Sequence, residues 1–515
     1  MFNFESSSVP IPNLGKLDKC EISGCSGFAY SKAENGKKYC LEHYAIILDA
    51  EIRKNKEDIK RAKEEAKKQK EVEAKKISSN QYAKKKEEFE KMNFIIGSEL
   101  ACIESNGKIT HYPMAKASVK YENVYFESVN KHGEEIEEEF FKKWRKDPER
   151  KQYSRIDFIP KLDECPADVF NLFDGFQAEK LEPVKDEINQ EELIKPILEL
   201  MNYITGGYQK DLSLWIAGII QRPWQKTQLA QFIRDEGSLF TSGGGCGKNT
   251  FFDFLGNNIL GEKYYHLISN NKEMFNDFNG ITEGKILILV EEASGKDNHA
   301  NASVIKSTIT KKKNTINKKG INQYSINDYS NWIFTTNERN ALPIKQEDRR
   351  FAVYDSNPVM RDNVEYFNNL VKLMNNPEVQ YCFYNYHKNL STYGSPIEFQ
   401  KNIAITGAYK DIRQMNAPVI QRYISSPEGL KFIKNEFSLD DLYNKFYNWC
   451  CDNREGSGGI LTKRNLGLLL AKDDCFTKRH TMYGNMYKTD MDKLIINLKK
   501  LYLIPEEEQE KQEEQ

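Results

Sequence analysis

The run Gly243-Gly244-Gly245-Cys246-Gly247-Lys248-Asn249-Thr250 constrains this chain more than any other stretch. It follows Ser242 and an apolar Ser238-Leu239-Phe240 and opens the apolar segment that ends at Leu255. Glycines let consecutive backbone N–H groups curl round a phosphate, and a lysine at the end reaches the outer phosphates. Such a loop works only on a strand-to-helix turn of an α/β sheet, which predicts a nucleotide-binding α/β core. Gly243, Gly244, Gly245, Cys246, Gly247, Lys248, Asn249 and Thr250 are its candidate nucleotide contacts. Ser242 stands where a first glycine is usual. Asn249 stands where a Ser or Thr normally ligates Mg²⁺, which makes Thr250 the nearest hydroxyl. A glycine-rich turn before a helix is the plainer alternative.

Two further strands are expected downstream. Ile286-Leu287-Ile288-Leu289-Val290 is fully apolar and ends in Glu291-Glu292. A buried strand that delivers two carboxylates at its carboxyl end suits work on hydrated Mg²⁺ and on the attacking water. Trp332-Ile333-Phe334-Thr335 ends in Asn337, an amide suited to a γ-phosphate or to that water. Arg349 and Arg350 follow 12 and 13 residues later, and arginine stabilises charge on a phosphoryl group in transfer. Taken singly, these three pieces also read as a helix-capping acidic pair, a turn asparagine, and a salt-bridge network with Glu347 and Asp348.

Lys248, Glu291, Asn337 and Arg349, in that order and spacing, resemble superfamily 3 helicases, in the branch related to the poxvirus-type primase-helicase of viruses, phages and plasmids. Phe140-Phe141-Lys142-Lys143-Trp144-Arg145-Lys146-Asp147-Pro148, Tyr153, Phe158-Ile159-Pro160 and Phe170-Asn171-Leu172-Phe173-Asp174-Gly175-Phe176 resemble the region preceding the ATPase there. The resemblance covers roughly residues 135–440. It implies an α/β P-loop NTPase core of AAA+ type that assembles as a ring, usually a hexamer, on DNA. It implies ATP and Mg²⁺ as ligands, Lys248, Glu291, Glu292 and Asn337 as catalytic residues, and Arg349 or Arg350 as a finger into the neighbouring subunit.

Between Asn298 and Asn327 there are six lysines (Lys306, Lys311, Lys312, Lys313, Lys318, Lys319) and no acid. Lys318-Lys319-Gly320 reads as a turn between β-prone flanks. In the resembled family a hairpin here grips DNA, so Lys318 and Lys319 are expected at the tip and Lys306 at the base. A cationic tip suits sequence-independent phosphate contacts; a solvated lysine loop is the alternative. Near the start, Cys20, Cys25, Cys40 and His43 have the number and pairing of a structural Cys₃His zinc site, whose role is DNA or protein docking. So small a segment cannot bury much core, which makes a metal a sensible source of its stability.

Over residues 51–92 there are 15 Lys/Arg against 10 Asp/Glu with no Pro or Gly, which predicts a long, solvated helix that Ser78-Ser79-Asn80 interrupts. The expected organisation is a zinc module (1–46), the charged helix (47–92), an α+β module (93–189), a helical oligomerisation segment (190–235), the ATPase core (236–358), a helical region (359–435), a winged-helix-like module or helical cap (436–504) and an acidic tail (505–515). In the module at 436–504, Lys478, Arg479 and His480 would form a basic wing. Net charge is −1, so bulk-charge coating of nucleic acid is excluded and any DNA site must be local. No 18-residue apolar run or signal pattern is present, and the ten cysteines show no disulfide framework, so a cytoplasmic protein, in a host cell if virally encoded, is expected. No paired-Asp primase centre is visible, so a separate primase or polymerase partner is expected. The expectation is a DNA helicase on single-stranded and forked DNA. A remodelling or loading ATPase and a non-catalytic origin-binding protein are the alternatives.

Overall fold

The computed structural model describes residues 19, 21–27, 29, 31–32, 36–104, 109–130, 134–185, 189–235, 237, 243–269, 271–275, 282–293, 295–316, 324–345, 348–455, 460–482 and 484–505. The chain divides into two compact units, Met1–Arg155 and Ile156–Gln515. The expected α+β module 93–189 is therefore split. Phe158, Phe173 and Phe176 belong to the core of the second unit, because their rings pack on Tyr264, Tyr329 and Tyr384, all far along the chain.

In the first unit, Ser31–Lys32 and Lys38–Tyr39 pair antiparallel ahead of helix α1 (Leu41–Met92). The helix starts before residue 47 and runs through Ser78-Ser79-Asn80 without a break. Ser78 is buried, and its Oγ lies 3.0 Å from Ser128 Oγ. Polar residues tolerated in a helix need only a partner, and the hairpin Tyr125–Val129/Glu135–Glu139 supplies it. The last turns of α1 are not solvated either: Phe89 packs on Phe140 and Trp144, and Glu90 accepts from Trp144 Nε1 at 2.7 Å. A four-stranded sheet, from Ile109–Pro113 through Glu99–Ile103 and Asn93–Ile96 to Gln152–Tyr153, completes this unit.

The second unit opens with helices α2 (Gln190–Ile204) and α3 (Gln209–Gln221). Residues 230–235, expected to be helical, instead supply strand β1 (Ala230–Arg234). All five of its residues are buried, so it takes a central place in the sheet. The expected strand at 238–240 lies outside the described residues. Helix α4 (Lys248–Asp253) follows the glycine loop. Then come β2 (Tyr265–Ile268), β3 (Leu287–Val290), helix α5 (Ala302–Thr310), a hairpin of β4 (Lys313–Ile316) and β5 (Tyr324–Asn327), β6 (Asn331–Thr336) and β7 (Phe351–Asp355).

The main sheet has the order β2-β3-β6-β1-β7, and every pairing in it is parallel. Both faces are covered, as parallel sheets require. One face packs on α2, α3 and helix α6 (Pro377–Asn389) through Trp215, Phe251 and Phe383. The other packs through Phe232, Trp332 and Phe334. Each fully buried aliphatic side chain of β3 contributes about 1.5–3 kcal/mol of apolar burial.

The chain ends in helix α7 (Pro427–Ile433), strand β8 (Phe437–Ser438), helices α8 (Leu439–Asp452) and α9 (Lys463–Lys472), a hairpin of β9 (Phe476–Thr481) and β10 (Gly484–Thr489), and helix α10 (Met491–Lys500). The three strands form one antiparallel sheet, β8-β10-β9. Among the described residues no helix is long and apolar enough to cross a membrane.

Candidate active site

Because β1, β6 and β3 are adjacent and parallel, their carboxyl ends lie side by side at one edge, where open α/β sheets bind ligands. Asp235 follows β1 at this edge, and Gly243 lies against its carbonyl. Gly244, Gly245 and Gly247 hold φ of +105°, +81° and +83°. A Cβ on Gly243 would stand 2.1 Å from the Asp235 carbonyl oxygen, and one on Gly247 would stand 2.5 Å from the Phe367 ring. Both the left-handed backbone and the close approach therefore require glycine.

The loop delivers Lys248, whose side chain is 9 % exposed. Its ammonium is 3.2 Å from Asp235 Oδ2 and donates to Asn337 Oδ1 at 3.4 Å. Burial pulls the lysine pKa down, and Asp235 works against that fall. Asp235 also accepts from Gly244 N–H at 2.9 Å and pairs with Arg361 at 2.5 Å. Burial acts to raise the Asp235 carboxyl, but Cys246, Lys248 and Arg361 together hold it below the usual range.

Asn249 donates its amide to Glu291 Oε1. Burial raises the Glu291 pKa, and the carboxylates of Asp253 and Glu292 add to the rise. Glu292 sits at φ +47°, a left-handed conformation uncommon for a non-glycine residue. That turn sends it into a cleft of about 340 Å³ lined by Gly244, Gly245, Cys246, Gly247, Lys248, Asn249, Thr250, Thr335, Thr336 and Asn337. The structure thus gathers Lys248, Asn249, Thr250, Glu292 and Asn337 on one cleft, with Glu291 tied to it through Asn249.

The remaining candidates lie elsewhere. Arg349 and Arg350 precede β7, and the Arg350 carbonyl accepts from Ala230 N–H at the start of β1. They stand at the amino edge of the sheet, opposite the cleft. Arg350 Nη1 is 3.5 Å from Asp348, a buried carboxylate that Lys306 also holds at 2.6 Å. Lys306 is therefore engaged by Asp348 at the base of the β4–β5 hairpin. The hairpin forms in the register Lys313↔Asn327 to Ile316↔Tyr324, and its tip, with Lys318 and Lys319, lies outside the described residues.

In the first unit, Cys25, Cys40 and His43 bring their ligand atoms within 4.8 Å of one another. The two sulfurs are 3.8 Å apart, and Cys40 Sγ is 3.2 Å from His43 Nδ1. Tetrahedral zinc with Zn–S of about 2.3 Å sets its sulfurs about 3.8 Å apart. Gly27 N–H points at Cys25 Sγ at 3.4 Å, as suits a thiolate. Cys20 lies outside the described residues.

Sequence reasoning missed Asp235 and Arg361. An acid directly after the run Leu229-Ala230-Gln231-Phe232-Ile233-Arg234 could have revealed the first. Nothing local marks Arg361, which reaches the loop only because β7 ends beside β1.

A protein-family model of unknown function, DUF5906, matches residues 240–350. No curated protein matches the chain. Among solved structures, the chain is similar to the C-terminal region of NrS-1, residues 305–718, in its apo structure, with a TM-score of 0.54, 16 % identity, and coverage of 77 % of this chain and 95 % of that one. A second apo structure of that region, described as its A form, gives the same values. The mixed α/β architecture built on a parallel sheet is thus shared with the NrS-1 C-terminal region.

Proposed function

We propose that this chain is an ATP-dependent DNA helicase with an AAA+-like P-loop core, working as a ring, a hexamer as is usual in the resembled superfamily 3, in replication of a viral, phage or plasmid genome. One observation carries the reading. A glycine loop with Lys248, an acidic pair and Asn337, from three separate stretches of sequence, meet at one carboxyl edge, while the arginine pair and the base of the β4–β5 hairpin stand at the other. The first set suits a nucleoside triphosphate; the second suits a neighbouring subunit and a DNA strand.

Lys248 and the loop N–H groups would take the phosphates of ATP, in the place where Asp235 now draws Lys248 and Gly244. Mg²⁺ would neutralise phosphate charge there. Asn249 fits that ion: its amide N–H binds Glu291, which leaves its carbonyl oxygen as a ligand where a hydroxyl is usual. Glu291 would act on the hydrated metal, Glu292 would polarise the attacking water, and Asn337 would hold the γ-phosphate or that water. Lys318 and Lys319 would grip single-stranded or forked DNA. Zn²⁺ would be held by Cys25, Cys40 and His43 with Cys20 as the fourth ligand. Work in the cytoplasm of a host cell, with a separate primase or polymerase, completes the reading.

ATP hydrolysis measured with and without single-stranded DNA, together with strand displacement on a fork, tests it. Hydrolysis should be stimulated by DNA and lost in Lys248→Ala. Hydrolysis without displacement would leave a remodelling ATPase, and no hydrolysis at all would leave an origin-binding protein. For the metal, the full chain should carry one equivalent of zinc, and Cys40→Ser should lose it. Zinc below about half an equivalent in the parent protein, with no change in circular dichroism on chelation, would remove the site.

A further inference from the structure

We propose that the exposed middle of α1 is one strand of a parallel, two-stranded coiled coil with a second copy of this chain. The pairing uses only residues of the first unit and does not depend on the nucleotide reading.

Helix α1 is 52 residues long, and its two ends are packed. Tyr44 and Ile47 pack beside Tyr39 and Cys40 at the amino end. Ser78, Tyr82 and Phe89 find partners at the carboxyl end. Between them every residue from 52 to 70 is exposed. Most helices in proteins owe their stability to the packing of one face, and this stretch packs no face within its own chain.

Its apolar residues nevertheless follow a rule. Ala45, Ile52, Ile59 and Ala66 are spaced by seven; Leu41, Leu48, Asn55 and Ala62 make a second row, three or four positions away. These are the a and d rows of a heptad, and they run for about four heptads, the length at which such a pattern argues for a coiled coil. Leu41, Leu48, Ile52 and Ile59 are between 43 % and 61 % exposed. Isoleucine at a with leucine at d favours two strands. A lone polar residue in a seam fixes register, and in a parallel pair Asn55 meets its own copy only in register. Past Ala66 the rows continue as Gln69, Glu73 and Lys76, so the seam ends before the packed carboxyl end begins. The contacts of Tyr44 and Ile47 lie beside the seam, not on it.

Charge chooses both the occupant and the direction. The g positions flanking the seam are Glu51, Asp58 and Glu65; the e positions are Lys56, Lys63 and Lys70. In a parallel, in-register pair each acid faces the lysine five positions on in the other helix: Glu51 with Lys56, Asp58 with Lys63 and Glu65 with Lys70. Each pair forms twice, once on either side of the seam. An antiparallel pair would set acid against acid and lysine against lysine. Lys56 and Lys63 have no acidic residue three or four positions away in their own helix, so pairing within the helix does not account for them. On the outer face, by contrast, Glu57 has Arg61 and Glu64 has Lys68 four positions on. One helix carries both signs, one on each flank, and such a self-complementary surface is what a two-fold pair requires. Parallel pairing also sets the two Cys25, Cys40 and His43 clusters at the same end of the coiled coil, so that two copies of this module act together.

Cysteine cross-linking of the full chain tests the pairing. Leu48→Cys and Ala62→Cys, made singly, each place a thiol at a d position, where the two copies face each other within disulfide reach. Under mild oxidation each should give a covalent dimer on a non-reducing gel, above the background set by the parent protein's own cysteines. Glu64→Cys, on the outer face, should stay at background. The two d positions lie about 21 Å apart along the helix, so an antiparallel pair could bring at most one of them to its own copy. Adding Lys56→Glu/Lys63→Glu/Lys70→Glu to the Ala62→Cys chain should remove most of the cross-link. Adding Glu51→Lys/Asp58→Lys/Glu65→Lys as well should restore it, with helical circular dichroism retained throughout. Background cross-linking at both d positions, equal cross-linking at Glu64→Cys, or a cross-link indifferent to the charge reversal would overturn the proposal.

Discussion

At the scale of single residues, Asp235 has the most consequence. One buried carboxylate draws together Gly244 N–H, Lys248 and Arg361, the donors that face the loop. Removing one member of a buried charge cluster leaves the others uncompensated, a loss of about 3 kcal/mol. Asp235→Asn should therefore lower the melting temperature of the nucleotide-free protein. ATP would then replace the missing negative charge, so the thermal shift on adding ATP should be larger than in the parent. Equal shifts in the two proteins, read by scanning calorimetry, would mean that Asp235 does not compete for the phosphate donors. The same carboxylate shows a limit of sequence reading. A glycine loop declares itself because its backbone needs glycine at fixed places. An acid that acts through Lys248 and through Arg361, 126 residues away, declares nothing locally.

At the scale of elements, the sequence marks β3, β6 and the β4–β5 hairpin plainly, and it misplaces β1. Ile286–Val290 and Trp332–Phe334 are apolar without interruption. By contrast β1 carries Gln231 and Arg234, both buried, and these dilute the apolar run. Arg234 is tolerated because Asp355 and Asp411 flank it, at 2.5 and 2.9 Å; partners so distant in sequence cannot be foreseen. Helix α6 carries a similar hidden group. His387 is fully buried, its Nδ1–H donates to Phe383 O at 2.8 Å, and its Nε2 has no partner among the described residues. Burial pushes its pKa down to about 4. The folded state therefore holds the neutral ring, while the unfolded chain takes up a proton near pH 6.5. Stability from this residue is complete above that pH and is lost as pH falls toward 4, by up to about 3 kcal/mol. Denaturant melts at pH 7 and pH 4.5 should show a smaller acid loss in His387→Gln than in the parent. Parallel losses would place the acid sensitivity elsewhere.

At the scale of the whole molecule, the two edges of the parallel sheet are the decisive fact. A five- or six-residue strand separates them by roughly 17–20 Å. Arg349 and Arg350 therefore cannot serve the cleft of their own subunit. A finger role needs a neighbour's cleft, whereas a structural role needs only Asp348, which already holds Arg350 and Lys306. The two roles predict different behaviour on mixing. Under the finger role, Arg349→Ala/Arg350→Ala subunits still bind ATP through their own Lys248 but cannot stimulate the next subunit. Lys248→Ala subunits cannot bind ATP but still offer their arginines. Each protein alone should be inactive, and a mixture should regain ATPase at those interfaces that join a good cleft to good arginines. A finger contributes roughly 10³-fold or more to turnover, so even sparse mixed interfaces should be measurable. Under the structural role, the arginine variant melts earlier, because Asp348 keeps a buried charge with Lys306 alone, and mixing restores nothing. Failure to complement in proteins that still form the parent's ring would remove the finger assignment and leave the link from Lys306 through Asp348 to Arg350 as a brace between α5 and β7.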